Sequence, residues 1–382
     1  MSLKYVLILS CLGVGLFALV FCAGSVRPAH AASLPRTRPD VLVFANGDRV
    51  TGRLERMKGG TVFFKTEDAG ELSVAWGKIR ELHVPEPFAV IPVGIRVRFG
   101  LPDKLVPQGS IDVAGPQLTV HTAAGEVVLP VDKVAYLVDE TTYKTNVTHE
   151  PGLLQGWTGS VTAGASMVES TQNVSTFNSG IALARTVPSA PWMVPADRTL
   201  LGFTSTYGSI SQPNAPALET NIFHGSAEQD KYVSSDFYAL AQAIFDHNST
   251  QGLNLQQTYG GGIGYNILRS ARQEFDVTVT LNYTGQQFQI AASNQNLIGS
   301  TIANNYSYKF PRNVLLTENS SVTPEFNNPR AYSANLSVGL AIPVFERLSF
   351  SLQAIDSYLN DPAPGFNCNS LQLNSGLTYT LP

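Results

Sequence analysis

The stretch "FDVTVTLNY" (275–283) alternates without a break: Phe275, Val277, Val279, Leu281 and Tyr283 stand against Asp276, Thr278, Thr280 and Asn282. A period of two is that of a β-strand, whose side chains point to opposite faces in turn, so one face here is apolar and the other wet. The scheme recurs at Trp157 to Met167, where Trp157, Val161, Ala163, Ala165 and Met167 oppose Thr158, Ser160, Thr162 and Ser166. It closes the chain in "LQLNSGLTYTLP" (371–382), where Leu371, Leu373, Leu377, Tyr379 and Leu381 oppose Gln372, Asn374, Thr378 and Thr380. These wet faces hold Thr, Asn, Gln and Ser with few charges. That suits a membrane-barrel lumen, whereas a soluble sandwich would carry charged side chains there.

Such stretches predict about twelve strands, near 157–169, 174–186, 198–211, 218–232, 235–246, 253–268, 274–288, 297–310, 313–325, 331–345, 348–359 and 371–381. An even count closes an antiparallel barrel with both ends on one side. Connection lengths are an independent test. Short links near 233–234, 269–273, 311–312 and 346–347 alternate with generally longer ones at 247–252, 289–296, 326–330 and 360–370. One link disobeys: "TVPSAPWMVPAD" (186–197) should be a short turn and is long and Pro-rich. The rival folds are a soluble β-sandwich and a lipocalin-like barrel. About 225 residues is more than eight strands use.

Ahead of this segment, residues 40–142 contain a repeat. Ala69-Gly70-Glu71 matches Ala124-Gly125-Glu126, and Leu72, Val74, Trp76, Lys78, Ile79 and Leu82 match Val127, Leu129, Val131, Lys133, Val134 and Leu137, at a constant offset of 55. Asn46-Gly47, Gly59-Gly60, Ala69-Gly70 and Gly115-Pro116 mark reversals between short strands. Each copy reads as a small SH3-like or Sm-like unit with a meagre core, so two packed together are more stable than either alone. The expected organisation is a signal peptide over 1–31, a periplasmic double β module over 40–142, a linker over 143–156 and the barrel over 157–382. Trp76 is expected in the core and His121 on an exposed face.

Lys4, the apolar run Val6 to Phe21 and the Ala29-His30-Ala31 site make the secretory signal. An uncleaved anchor would need a longer apolar run, and a lipoprotein reading of Cys22 meets bulky Phe21 just before it. Lys4 and Arg27 leave with the signal, so the mature chain keeps 23 of the 25 basic residues against 29 acidic ones, net −6. No basic face results, and nucleic acid is not an expected partner. Cys11 and Cys22 leave too, so Cys368 stands alone with no intramolecular disulfide available. No second apolar run is long enough for a helical span, which says nothing against a barrel.

"GWTGSVTAGASMVESTQN" (156–173), "DFYALAQAIFDHNSTQGLNLQQTYGGGIGYN" (236–266) and "RLSFSLQAIDSYLNDP" (347–362) resemble the salt-induced outer-membrane protein family, the YdiY-like proteins. "ANGDRVTGRLERMKGGTVFFKT" (45–66) resembles the small module that leads many of them. The resemblance covers most of the mature chain and implies an outer-membrane β-barrel of unknown biochemical role in the Gram-negative cell envelope, with no catalytic residues to transfer. Leu381-Pro382 departs from the terminal aromatic usual in such chains.

Candidate chemistry is sparse. "YGGGIGY" (259–265) lacks the following helix that a dinucleotide loop needs, and Gly260, Gly262 and Gly264 fall on the wet face of a strand. Asp246-His247-Asn248-Ser249 supplies lipolytic residue types without the geometry of a held base. The histidines show no metal spacing. No catalytic, cofactor or metal residues are assigned. The lumen-lining candidates are Asn254, Gln256, Thr258, Asp276, Thr278, Thr280, Asn282, Gln372, Asn374, Thr378 and Thr380. The leading expectation is a non-enzymatic outer-membrane barrel, a narrow pore or an envelope-structural protein. The alternatives are an anchored binding module, whose repeats hold a periplasmic partner or cell-wall glycan, and a phospholipase-like enzyme. Expected partners are outer-membrane lipid, the barrel-assembly machinery and that envelope partner.

Overall fold

The computed structural model describes residues 39–95, 97, 105–148, 152, 155–168, 173–190, 192–212, 216–270 and 272–381. The expected signal peptide and Pro382 lie outside them.

The leading segment forms β1 (Asp40–Phe44), β2 (Arg49–Lys58), β3 (Thr61–Thr66), β4 (Gly70–Ala75), β5 (Ile79–Pro92), β6 (Gln108–Ala114), β7 (Gln117–Thr122), β8 (Gly125–Pro130) and β9 (Val134–Asp139). The repeat offset is visible in the elements: β8 begins and ends 55 residues beyond β4, and a 3-10 turn follows each, at Trp76–Lys78 and Val131–Lys133. The two copies are not separate barrels side by side. They share one sheet in the order β4-β3-β2-β1-β5-β6-β7-β8, with β9 pairing both β2 and β5. Each copy gives its last strand to the other: Glu81–Val84 of β5 pair with Ile111–Ala114 of β6, and Tyr136–Val138 of β9 pair with Arg56–Lys58 of β2. One core results, with Leu54, Phe64 and Leu82 of the first copy packed with Ile111, Leu118 and Leu137 of the second. Trp76 packs partly buried against it. At Asn46-Gly47 the turn takes Gly47 to φ +95°, and the Asn46 Oδ1 accepts from the Asp48 N–H at 3.0 Å.

His121 is less idle than an exposed face suggests. Its Nε2 lies 2.8 Å from Asp112 Oδ2 and its Nδ1 3.2 Å from Glu126, while His83 bonds the other oxygen of Asp112. The row ties β5, β6, β7 and β8 together on one face.

The barrel comprises β10 (Trp157–Val168), β11 (Asn173–Val187), β12 (Asp197–Ser211), β13 (Leu218–Tyr232), β14 (Phe237–Asn248), β15 (Leu253–Arg269), β16 (Gln273–Phe288), β17 (Gln295–Lys309), β18 (Leu315–Thr323), β19 (Ser333–Pro343), β20 (Leu348–Leu359) and β21 (Asn369–Thr380). All neighbours are antiparallel, and β21 returns to β10 through Ser160↔Thr380, Val161↔Tyr379, Thr162↔Thr378 and Ala163↔Leu377. The Thr162 and Thr378 hydroxyls lie 2.7 Å apart across this seam, and the Leu381 N–H donates to the Gly159 carbonyl at 2.8 Å. Polarity is inverted relative to a soluble protein. Leu281 and Leu373 are 67% and 77% exposed on the outside, while Thr280 and Asn282 are 3% and 4% exposed on the inside. On β16 the outward aromatics Phe275 and Tyr283 are separated by about 20 Å of membrane normal, taking about 3.4 Å per residue and a tilt of about 40°. That is close to the apolar band of a transmembrane barrel. Among the described residues no helix is long and apolar enough to cross a membrane.

The expected linker is only partly one. Tyr143–Val147 form a π-helical turn, and Tyr143 and Val147 are buried with Ala89, Ile91, Val97, Val106 and Val138 of the module. Their apolar side chains, set among polar neighbours, pull the segment into the core. Ala190 and Met193 of the anomalous turn between β11 and β12 join the same cluster, and Trp192 packs on it, edge to face with Tyr136 at 5.9 Å between ring centres. The Ser189 N–H donates to the Asn146 carbonyl at 3.0 Å. The extra length of the turn, hereafter the clip, carries these contacts with the module.

Glycines on the wet face of β15 let the wall pack. A Cβ on Gly262 would meet the Val279 carbonyl, and one on Gly264 would meet the Tyr238 ring, whereas Gly261 has only ordinary contact, 3.6 Å from the Leu240 carbonyl. Gly262→Ala should therefore destabilise the barrel by about 1–3 kcal/mol, and Gly261→Ala should not. The temperature at which the folded gel band converts to the unfolded one measures this.

The hydrogen bond to Asp112 raises the pKa of His121 above its ordinary 6.5. Burial works against the charge of Asp112, but the bonds from His83 and His121 hold its pKa below the ordinary 3.8. A raised histidine stabilises fully below its unfolded value and loses this as pH rises through the folded one. A lowered carboxylate stabilises above its unfolded value and loses this as pH falls through the folded one. The pair is thus fully effective between about pH 4 and 6.5. NMR titration should show the His121 pKa falling towards its ordinary value in Asp112→Asn; no change there would refute the pairing.

Candidate functional site: the barrel lumen and its two mouths

Strand starts and ends define a near mouth, on the side of the module, and a far mouth. Around the near mouth the inward positions of β12 to β16 carry charge. Arg198 Nε donates to Asp230 Oδ2 at 2.6 Å, and its Nη1 lies 3.9 Å from Glu274 and 4.0 Å from Asp276. The guanidinium stands over the Tyr238 ring at 5.1 Å, and the Tyr238 hydroxyl donates to Asp276 Oδ1 at 3.3 Å. Asn266 Nδ2 donates to the same oxygen at 3.0 Å. Arg269 donates to the Tyr232 hydroxyl at 3.2 Å and approaches Glu274 to 3.7 Å. Arg198 stands on β12 and Asp276 on β16, so this cluster spans a chord of the lumen rather than one ladder.

The module reaches the same mouth. Burial first, and then the charge of Arg269, lowers the pKa of Lys58 on β2.

A second belt lies towards the far mouth. His224 Nδ1 is 2.7 Å from Asp246, Gln256 Nε2 donates to Asp246 at 3.2 Å, Gln286 to Gln256 at 2.7 Å and Gln295 to Gln286 at 2.8 Å. The far mouth itself is bridged. Gln251, in the link between β14 and β15, donates to the carbonyls of Ser357 at 3.0 Å and Cys368 at 2.8 Å. Those carbonyls belong to β20 and its link to β21, half the circumference away. Beside the bridge Leu253, Phe288, Leu359 and Ala363 pack with Phe366 as an apolar cap.

Among the residues expected in the lumen, Gln256, Thr258, Asp276, Thr278, Thr280 and Asn282 point inward on the wall formed by β15 and β16, where all but Gln256 are buried. Thr258 and Thr284 share a 3.2 Å hydroxyl contact, and the Asn282 amide is 2.5 Å from the Thr301 hydroxyl. Gln372 and Asn374 are half-buried, Thr378 is buried at the seam, and Thr380, on the same face, is exposed at the near rim. Asn254 is a correction. The ladder shifts between Leu253 and Leu255, so Asn254 is the extra residue of a bulge and is exposed, while Leu253 turns into the apolar cap.

Asp246 and His247 occupy opposite faces of β14. His247 Nδ1 bonds the Asn254 carbonyl at 2.7 Å, and the Ser249 hydroxyl accepts from the Asn221 N–H at 2.8 Å. The types proposed for lipolysis are thus held apart. Among the described residues no group of His, Cys, Asp or Glu is placed to hold a metal. Residues that sequence reasoning missed are Arg198, Asp230, His224 and Gln251. A charge on the wet face was the available signal for the first two: Arg198 on β12, and Asp230 with Glu228 two residues before it on β13.

The two walls of the lumen differ. The β15–β16 wall is dry, yet Ala182, Asn305, Asn319 and Asn335, inward on β11, β17, β18 and β19, are exposed to water. The lumen is half filled.

A family model described as "Protein of unknown function, DUF481" matches residues 161–381. No curated protein matches the sequence. Solved structures similar to the chain include a NanC porin, at 7% identity and a TM-score of 0.36, covering 58% of this chain and 100% of that one. The COG4313 outer membrane channel from Pseudomonas putida F1 is similar at 12% identity and 0.36, covering 61% and 100%. The translocator domain of the autotransporter NalP from Neisseria meningitidis is similar at 8% identity and 0.32, covering 58% and 86%. The family match spans more than half the chain and ends at Leu381, within the closing strand region: the chain belongs to the family described as a protein of unknown function, DUF481.

Proposed function

We propose that the protein is a non-enzymatic outer-membrane barrel that conducts through a narrow, half-filled lumen, with its double β module held at the periplasmic mouth. The observation that carries this reading is the water exposure of the inward-facing Ala182, Asn305, Asn319 and Asn335, while the β15–β16 wall is packed dry. A lumen closed on all sides by packing would bury them. The even strand count returns Thr380 beside Ser160, so both ends of the barrel sit at the module's mouth. Far-side links such as 324–332 and 360–368 are longer than the near-side turns other than the clip, which agrees with a periplasmic near mouth.

A second reading is favoured by the clip: the barrel serves as an anchor that presents the module to an envelope partner. Met193 and Ala190 are as buried as a domain core, which is more than a passing contact between barrel and module requires.

Planar-bilayer recording of the full chain separates the two. Small, steady conductance steps are expected; a silent membrane, with silence persisting in Trp192→Ala/Met193→Ala, would sink the pore reading and leave the anchor. The same double variant should free the module, since truncating a buried Met costs about 2–5 kcal/mol. Limited proteolysis should then cut between module and barrel several-fold faster than in the parent, and equal rates would show that the clip holds nothing.

A further inference from the structure

If the lumen conducts, the proposed pore reading being the premise, its lining decides which ions pass. The inward-facing carboxylates of the described wall are Glu228, Asp230, Asp246, Glu274 and Asp276, and Glu325 joins them where it bridges Gly299. The inward-facing cations are Arg198 and Arg269, with Lys309 at the near rim. Arg198 is committed to Asp230 at 2.6 Å, and Glu228 stands beside that pair on the same strand face. Asp276 remains 4.0 Å from the nearest guanidinium, and Asp246 has a histidine and an amide as partners. Carboxyl groups therefore outnumber the arginines on the lining, and Asp276 and Asp246 are among those that no arginine holds at close range.

A second observation points to a cation. Asn266 is 3% exposed and aims into the near-mouth cluster; its amide nitrogen serves Asp276, while its Oδ1 is buried with no hydrogen-bond partner. An orphan oxygen acceptor beside carboxylates faces the need of a positive ion or a donor, never that of an anion. The exposed Asn305 pairs across the ladder with Asp276, so the wet path runs directly beside this charge. Low-dielectric walls focus such a field along the path.

We propose that the lumen selects small cations over anions, with Asp276 as the specificity-determining carboxylate and Arg198 as the tether that keeps Asp230 from adding to it. Rings of acidic side chains set cation preference in other pores by the same physics.

The test is the reversal potential of the full chain in a planar bilayer under a KCl gradient. The sign expected is that of K⁺ permeation, and Asp276→Asn, which keeps an oxygen for Tyr238 and Asn266, should lower the K⁺ to Cl⁻ permeability ratio by about twofold or more. If that variant does not insert, Glu274→Gln and Asp246→Asn read the same field and should shift the potential in the same direction. Conductance that favours Cl⁻ or neither ion, or a potential unmoved by these changes, overturns the inference while leaving the pore. Absence of conductance removes the pore and this inference together.

Discussion

A backbone in hydrocarbon has no water to bond, so every N–H and C=O of a membrane-crossing sheet must find its partner in the sheet itself. Here the sheet closes on itself at the seam between β10 and β21, and the rest of the molecule depends on it. The seam is short, four register pairs against twelve for β10 and β11, and is supplemented by the Thr162–Thr378 hydroxyl contact and the bond from Leu381 to Gly159. Closure explains why the apolar side chains face out. With no edge left to protect, the wet face has only the lumen to occupy.

Lumen packing then follows from the residues that closure brings opposite one another. Glycines at 260, 262 and 264 thin one wall, Tyr238 fills the space, and Arg198 crosses to the acidic positions of β16. At the far mouth the link at 249–252 spans half the circumference to reach β20 and β21. The result is a lumen that is dry on one wall and wet on the other. A module clipped by the turn at 188–196 stands at the near mouth.

Much of the wall was legible in advance. Strand ends read from alternation fall within about two residues of those observed, because alternation is local and each strand carries its own copy of the signal. The repeat at an offset of 55 was equally plain, yet the exchange of closing strands between the copies was not, since pairing partners leave no mark in either copy alone. The bulge that expels Asn254 from the lumen escaped for a related reason. A single inserted residue shifts the face of everything beyond it, and only the ladder reveals where the insertion sits. His121 read as an idle surface residue because its partners Asp112 and Glu126 lie on neighbouring strands.

The turn 186–197 shows the division most clearly. Its length and prolines marked it as the one link out of step, but nothing in its residues named the pocket of Ala89, Val138 and Tyr143 that receives Met193. By itself, the sequence determined the period-two faces, the strand number, the inverted polarity and the doubled module, all of which are properties of neighbours along the chain. The tertiary structure alone decided which charges meet across the lumen, which wall stays wet and what the clip holds. Those contacts join residues tens of positions apart or more, and their distances depend on the closure and stagger of twelve strands together.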